Sequence, residues 1–195
     1  MAIYMINNHK CIASRCGRSA DIAVVTVRDH KITKEQLLCH QHYLENDFNP
    51  SNLYINVINA EQPAASYSLG YIVFDSYNDS HTVVMISQTL KSQISVPIGY
   101  VQSSMLYSLM SQPAAYVSYY RSVVDIFNDL GMNISRLYSG IVFNDNNIDM
   151  NVSVIEILTP SGRKRYPVEF SEAIGFGIVL GQPVIMGNDL NSRYS

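Results

Sequence analysis

All three cysteines of this chain fall within its first 39 residues, as Cys11-x4-Cys16 and then Cys39-x2-His42. Two close ligand pairs separated by a longer span suit a tetrahedral zinc ion, which takes soft or borderline sulfur and nitrogen donors. On a helix, Cys39 and His42 are three residues apart and face the same side. The first pair lies on a knuckle-like loop with Gly17, and no cysteine is left over. The expectation is one structural zinc on Cys11, Cys16, Cys39 and His42, with His9 and His40 as substitutes for His42. Three reduced thiols packed as small hydrophobes are the alternative. No vacant coordination position or nearby general base suggests catalysis by this ion. A segment of about 44 residues is near the size at which a metal is needed to hold a fold.

The segment Leu38-Cys39-His40-Gln41-His42 resembles the closing helix of small treble-clef or ribbon-like zinc modules. Residues 1–44 are therefore read as a zinc-binding unit. Within it the β-branched run Ile22 to Val27 predicts a strand and Asp29-His30-Lys31 a turn. Thr33, with Gln36 three residues on, predicts the start of a helix carrying Leu37, Leu38, Cys39, His42 and Tyr43. Residues 45–66 are turn-rich and read as a linker, with a short strand or docked arm over 53–58.

From residue 67 to 190 the pattern alternates. Strands are expected over 70–74, 82–86, 94–98, 134–143, 150–158, near 165–168 and at 184–186, and helices over 99–112, 115–130 and 171–180. The first of these helices sets Val101, Met105, Leu106 and Leu109 on one face. The second buries Val117, Tyr120, Val123, Val124, Phe127 and Leu130. Gly131 and Gly181 are the expected stops, and Ser171 the expected N-cap of the last helix with Glu172 in its first turn. The fold class is α+β, a compact mixed β-sheet domain with about three helices behind a small zinc-stapled module, and residues 191–195 form a tail.

Charged residues are 15% of the chain and the net charge is −3, against a surface built throughout to hold nucleic acid. The longest strongly apolar run, 174–180, is too short to span a bilayer, and the first ten residues lack the layout of a signal peptide. An odd number of cysteines argues against a secreted disulfide framework. A cytoplasmic protein with no membrane partner is the expectation.

Ser171-Glu-Ala-Ile-Gly-Phe-Gly-Ile-Val-Leu-Gly-Gln-Pro-Val184 resembles the closing helix and strand of the bifunctional nuclease family, whose pattern is Arg-Pro-Ser-Asp-Ala-Ile, a small and apolar helix, then Gly-x-Pro-Ile. Val96-Pro-Ile-Gly99 with Gln102 is similar to that family's early strand-to-helix turn, and Asp125-Ile-Phe-Asn-Asp-Leu-Gly131 to its second helix. Order and spacing agree over about residues 69–190. The resemblance implies a compact α+β fold that forms homo-oligomers and acts on DNA or RNA. Magnesium or manganese would then be held by Glu172, Glu169 and Asp125, because phosphodiester cleavage needs carboxylates to hold the ion. The sequence departs from the pattern at Gln102, where the family has an acid. It departs again at Tyr119-Tyr120-Arg121, in place of a His-Asp pair, and at Glu169-Phe170, in place of Arg-Pro. These departures favour a second reading, a non-catalytic scaffold or regulatory module that binds another protein or nucleic acid.

Other constellations have plainer readings. Arg163-Lys164-Arg165 and Arg121 are candidate nucleic-acid contacts, although a solvated hairpin tip also explains the first three. Tyr116, Tyr119 and Tyr120 could stack on bases, but their helical spacing suits packing. The acidic spacing from Asp145 to Glu156 mimics a calcium loop, yet Met150 stands where that loop needs glycine. A hairpin turn and strand are expected there instead.

Overall fold

The hairpin of β1 (Ile22–Arg28) and β2 (Lys31–Leu38) opens the fold, with Asp29 and His30 both in left-handed backbone at its tip. Two such residues make the turn whose twist matches that of paired antiparallel strands, and Asp tolerates the conformation better than most side chains. The expected helix from Thr33 is thus corrected to a strand. β2 is paired to β1 along its length, from Ile22 opposite Leu38 to Arg28 opposite Lys31, and this pairing overrides the local capping pattern at Thr33 and Gln36. Helix α1 (His40–Leu44) begins only after β2, with Cys39 as its N-cap. The computed structural model describes residue 6 and residues 9–46, 65–111, 119–144 and 147–186, without side chains in 140–144 and 147–152.

The described chain is mixed α+β, with nine strands and four helices: β3 (Ala65–Asp75), β4 (Ser80–Ser87), β5 (Ser92–Ile98), α2 (Tyr100–Ser111), α3 (Tyr119–Asp129), β6 (Asn133–Asn144), β7 (Asn147–Thr159), β8 (Gly162–Val168), α4 (Phe170–Leu180) and β9 (Val184–Met186). Among the described residues no helix is long and apolar enough to cross a membrane. Packing divides these residues into two units, one of 6, 9–46, 69–86 and 92–107, the other of 65–68, 87–91, 108–111, 119–144 and 147–186. This differs from the sequence-based partition into 1–44 and 67–190, because β1 hydrogen-bonds antiparallel to β3, from Ile22 opposite Asp75 to Thr26 opposite Tyr71. Residues 65 and 66, expected in the linker, lie in β3; the strand or arm expected over 53–58 and the tail over 191–195 lie outside the described residues.

In the first unit the strands run β2-β1-β3-β4-β5. One face of the β1–β3 region carries the cluster of Cys11, Ile22, Val24, Leu38, Cys39, Tyr43 and Val73. On α2 the buried positions are Ser103, Leu106, Tyr107 and Met110, which recur at helical spacing. Val101 and Met105, expected on the packed face, are instead exposed. This helix is uncharged and mixes serines and Gln102 among its apolar residues, so periodicity could not choose its inner side. Tyr107 donates to Glu35 Oε1 at 2.8 Å and packs edge-on to Phe74.

In the second unit β9 lies beside β6 in parallel, and β6, β7 and β8 follow as an antiparallel meander. Helix α4 packs on β6, β7 and β9, with α3 against it. At Gly175 a Cβ would overlap the Tyr120 ring, so only glycine admits α3 this closely. The stops at Gly131 and Gly181 are as expected, both with positive φ. The N-cap of α4 is Glu169 rather than Ser171, which is buried inside the helix. Leu130, expected in the core, is exposed.

Candidate metal centre

The loop before β1 is fixed to the end of β2 by backbone bonds. Ile12 N–H donates to Leu37 O at 2.9 Å, Asp21 N–H to Leu38 O at 2.9 Å, and Cys11 N–H to Arg18 O at 3.0 Å. Inside that loop Cys16 N–H turns back to Ala13 O at 3.0 Å, with Arg15 in left-handed backbone. The turn brings Cys16 round to Cys11. Cys39 and His42 arrive from the other side, on the N-cap and first turn of α1, where Tyr43 N–H closes onto Cys39 O at 3.0 Å. Cys39 and His42 thus face one another as expected, but Cys39 does so from the extended N-cap of a short helix and not from within it.

One donor atom from each of Cys11, Cys16, Cys39 and His42 lies within 4.8 Å of all the others. His42 Nδ1 is 3.4 Å from Cys11 Sγ and 3.3 Å from Cys39 Sγ, and Cys16 Sγ is 3.9 Å from Cys39 Sγ. A tetrahedron with metal–sulfur bonds of about 2.3 Å and metal–nitrogen bonds of about 2.0 Å has S···S edges near ~3.8 Å and S···N edges near ~3.5 Å. The four side chains sit close to that spacing and can hold one metal ion. Among the described residues these are the three free cysteines, and no disulfide competes for them.

The electrostatics of the cluster prepare it for a cation. Burial acts to raise the Cys39 pKa, but hydrogen bonds from the His42 backbone and ring and from Cys11 and Cys16 outweigh it, and the thiol is lowered to about 7. Cys16 moves the other way. A backbone bond with Arg18 acts to lower its pKa, and burial with the Cys11 and Cys39 thiols raises it on balance. One thiol of a crowded set thus ionises readily while its neighbour resists, and a bound dication removes the resistance by neutralising both.

Behind His42 stands a carboxylate that the sequence reading missed. Glu45 Oε2 is 3.9 Å from His42 Nε2, and Glu45 Oε1 accepts from Gln41 Nε2 at 2.8 Å. Gln41 in turn accepts from Arg18. A carboxylate on the far ring nitrogen favours the tautomer that leaves Nδ1 unprotonated toward the sulfurs. The i, i+3 spacing of His42 and Glu45 was the available signal. Glu45→Gln is expected to weaken metal affinity about tenfold. A cobalt(II) titration read by its thiolate absorption checks this, with affinity equal to wild type as the contrary result.

The other candidate residues do not gather at this centre. Glu169 and Glu172 form a capping box on α4, in which the Glu169 side chain accepts from the Glu172 backbone and Glu169 N–H donates to Glu172 Oε2 at 2.9 Å. Asp125 is an exposed residue of α3. Burial, with Glu172, Tyr119 and Glu169, pushes the Tyr120 hydroxyl up to about 12. Tyr120 is a packing residue against Phe176, Tyr119 is exposed, and Tyr116 lies outside the described residues. Arg163, Lys164 and Arg165 lie within β8 rather than at the hairpin tip, and Arg163 and Arg165 both meet the buried Glu156 of β7. Arg121 is exposed on α3. Residues 147–151 of the calcium-like spacing are in β7, a strand as expected, although it begins at Asn147 rather than at Met150. Glu156 was weighed only as part of that spacing; its telling signal was an acid inside Val154-Ile155-Glu156-Ile157.

No family model matches the chain, and no curated protein matches it.

Proposed function

We propose that the chain is a zinc-stapled, non-catalytic binding module of the scaffold or regulatory kind, with a bifunctional-nuclease-like second half that no longer cleaves phosphodiesters. The observation that carries this reading is the reciprocal capping of α4. Glu169 and Glu172, the carboxylates expected to hold magnesium or manganese, are instead engaged with backbone N–H groups at the helix start. A carboxylate used this way has fewer lone pairs left for a cation. Zinc is the metal assigned to the N-terminal cluster, because three thiolates and one imidazole are its preferred structural donors. Free thiols support a reducing, cytoplasmic setting.

The nuclease-like reading rests on one observation of its own. Besides burial, the charges of Glu172 and Glu169 help raise the Tyr120 pKa, so the two acids at the start of α4 act electrostatically on a phenol of α3. Self-association belongs to the proposal as well, supported by exposed Tyr100, Val101 and Met105 on α2 and by exposed Tyr119 and Ile126 on α3.

Labelled RNA and DNA incubated with magnesium or manganese provide the test, comparing wild type with Glu172→Gln. The expected result is no cleavage that depends on Glu172. Cleavage by wild type that disappears in the variant would overturn the binding-module reading and restore the enzyme.

A further inference from the structure

Arg136 on β6, Glu156 on β7 and Arg165 on β8 are direct cross-strand partners, so all three project from one face of the sheet in the second unit. Arg163, two residues before Arg165, shares that face, and its Nη1 is 3.9 Å from Glu156 Oε1. Arg165 donates to Glu156 Oε2 from both Nε and Nη2, each at 3.2 Å. The Ser135 hydroxyl lies 3.0 Å from Glu156 Oε1. Tyr138 joins the group from β6. Its ring lies 5.8 Å from the Arg165 guanidinium carbon, and its hydroxyl accepts from Arg136 Nη1 at 3.4 Å.

A buried carboxylate needs one cation, and Arg165 provides it. Three guanidinium groups around one acid leave a surplus of two positive charges. The surplus faces water, since the Glu156 side chain is 2% exposed while those of Arg165 and Arg163 are 38% and 66% exposed. This is an unusual concentration on a chain whose net charge is −3. The carboxylate beneath and the tyrosine alongside hold these forks in place before any ligand arrives, so less side-chain freedom is lost on binding. Planar guanidinium forks match tetrahedral oxyanions, and two surplus charges match a dianion better than a monoanion.

We propose that this face, built from Arg136, Arg163 and Arg165 over Glu156 and Tyr138, binds the dianionic head of a phosphate monoester. The inference is independent of the metal centre and holds whether or not the chain is an enzyme.

The test is titration of the full-length, metal-loaded protein with inorganic phosphate, phenyl phosphate and dimethyl phosphate, followed through its NMR amide shifts. Phosphate and phenyl phosphate are expected to saturate with shifts centred on β6 and β8. Dimethyl phosphate, a diester monoanion, should bind at least tenfold more weakly. Affinity for the monoester should fall as pH drops through about 6, where the second phosphate proton is taken up. Arg136→Gln and Arg163→Gln, both at exposed positions, should each weaken binding about tenfold while leaving the spectrum otherwise folded. No saturable shift, or equal affinity in wild type and both variants, overturns the proposal. Tighter binding of the diester overturns it in favour of a nucleic-acid backbone.

Discussion

Removing the metal with a strong chelator is expected to unfold the N-terminal loop and α1 and to lower the melting temperature by roughly 8 to 24 °C. Structural zinc contributes on the order of 10 kcal/mol in small isolated modules. Here part of that is replaced by packing, because Cys11, Cys39 and Tyr43 are buried with Ile22, Val24, Leu38 and Val73. A loss of roughly 4 to 6 kcal/mol is therefore the expectation, and about 2–4 °C per kcal/mol for a chain of this size gives the stated shift. Cys39→Ser should act like the chelator, since it removes a ligand at the N-cap of α1. Cys16→Ser should fall between it and wild type, as Cys16 is the least buried of the three thiols. Elemental analysis of protein purified without chelator should give about one zinc per chain. Metal-free protein with an unchanged melting temperature and three freely titrating thiols would sink the assignment.

How far the sequence exposed this centre follows from the range of the interactions that build it. Cys11, Cys16, Cys39 and His42 could be grouped from spacing because each pair is local, and the metal's own geometry supplies the long-range link. The element carrying the second pair was misread. A capping-box pattern at Thr33 and Gln36 is a local signal, whereas the hairpin that makes β2 depends on β1 across the Asp29–His30 turn. The outer turn of α2 was misread for a different reason, because a helix with no charge anywhere offers no contrast between faces. Glycine stops at Gly131 and Gly181 were legible because a positive φ is written in the residue itself. Glu156 lay at the other extreme. Its partners come from the two strands that flank its own in register, and register is a tertiary property that no single segment encodes.

That buried acid gives the second large effect. Arg165→Leu should destabilise the protein by about 3 kcal/mol, the usual consequence of leaving a buried charge without its partner. Arg163 at 3.9 Å and the Ser135 hydroxyl at 3.0 Å remain near Glu156, which places the expectation at the lower end of that range. The corresponding fall in melting temperature is roughly 6 to 12 °C. Replacing both partners, as in Glu156→Leu with Arg165→Leu, should recover most of the loss, since two apolar side chains leave no charge buried. Thermal unfolding of wild type, the two single variants and the double variant completes the cycle. A single variant within about 0.5 kcal/mol of wild type, or a double variant no better than the single, would show that Glu156 does not depend on Arg165.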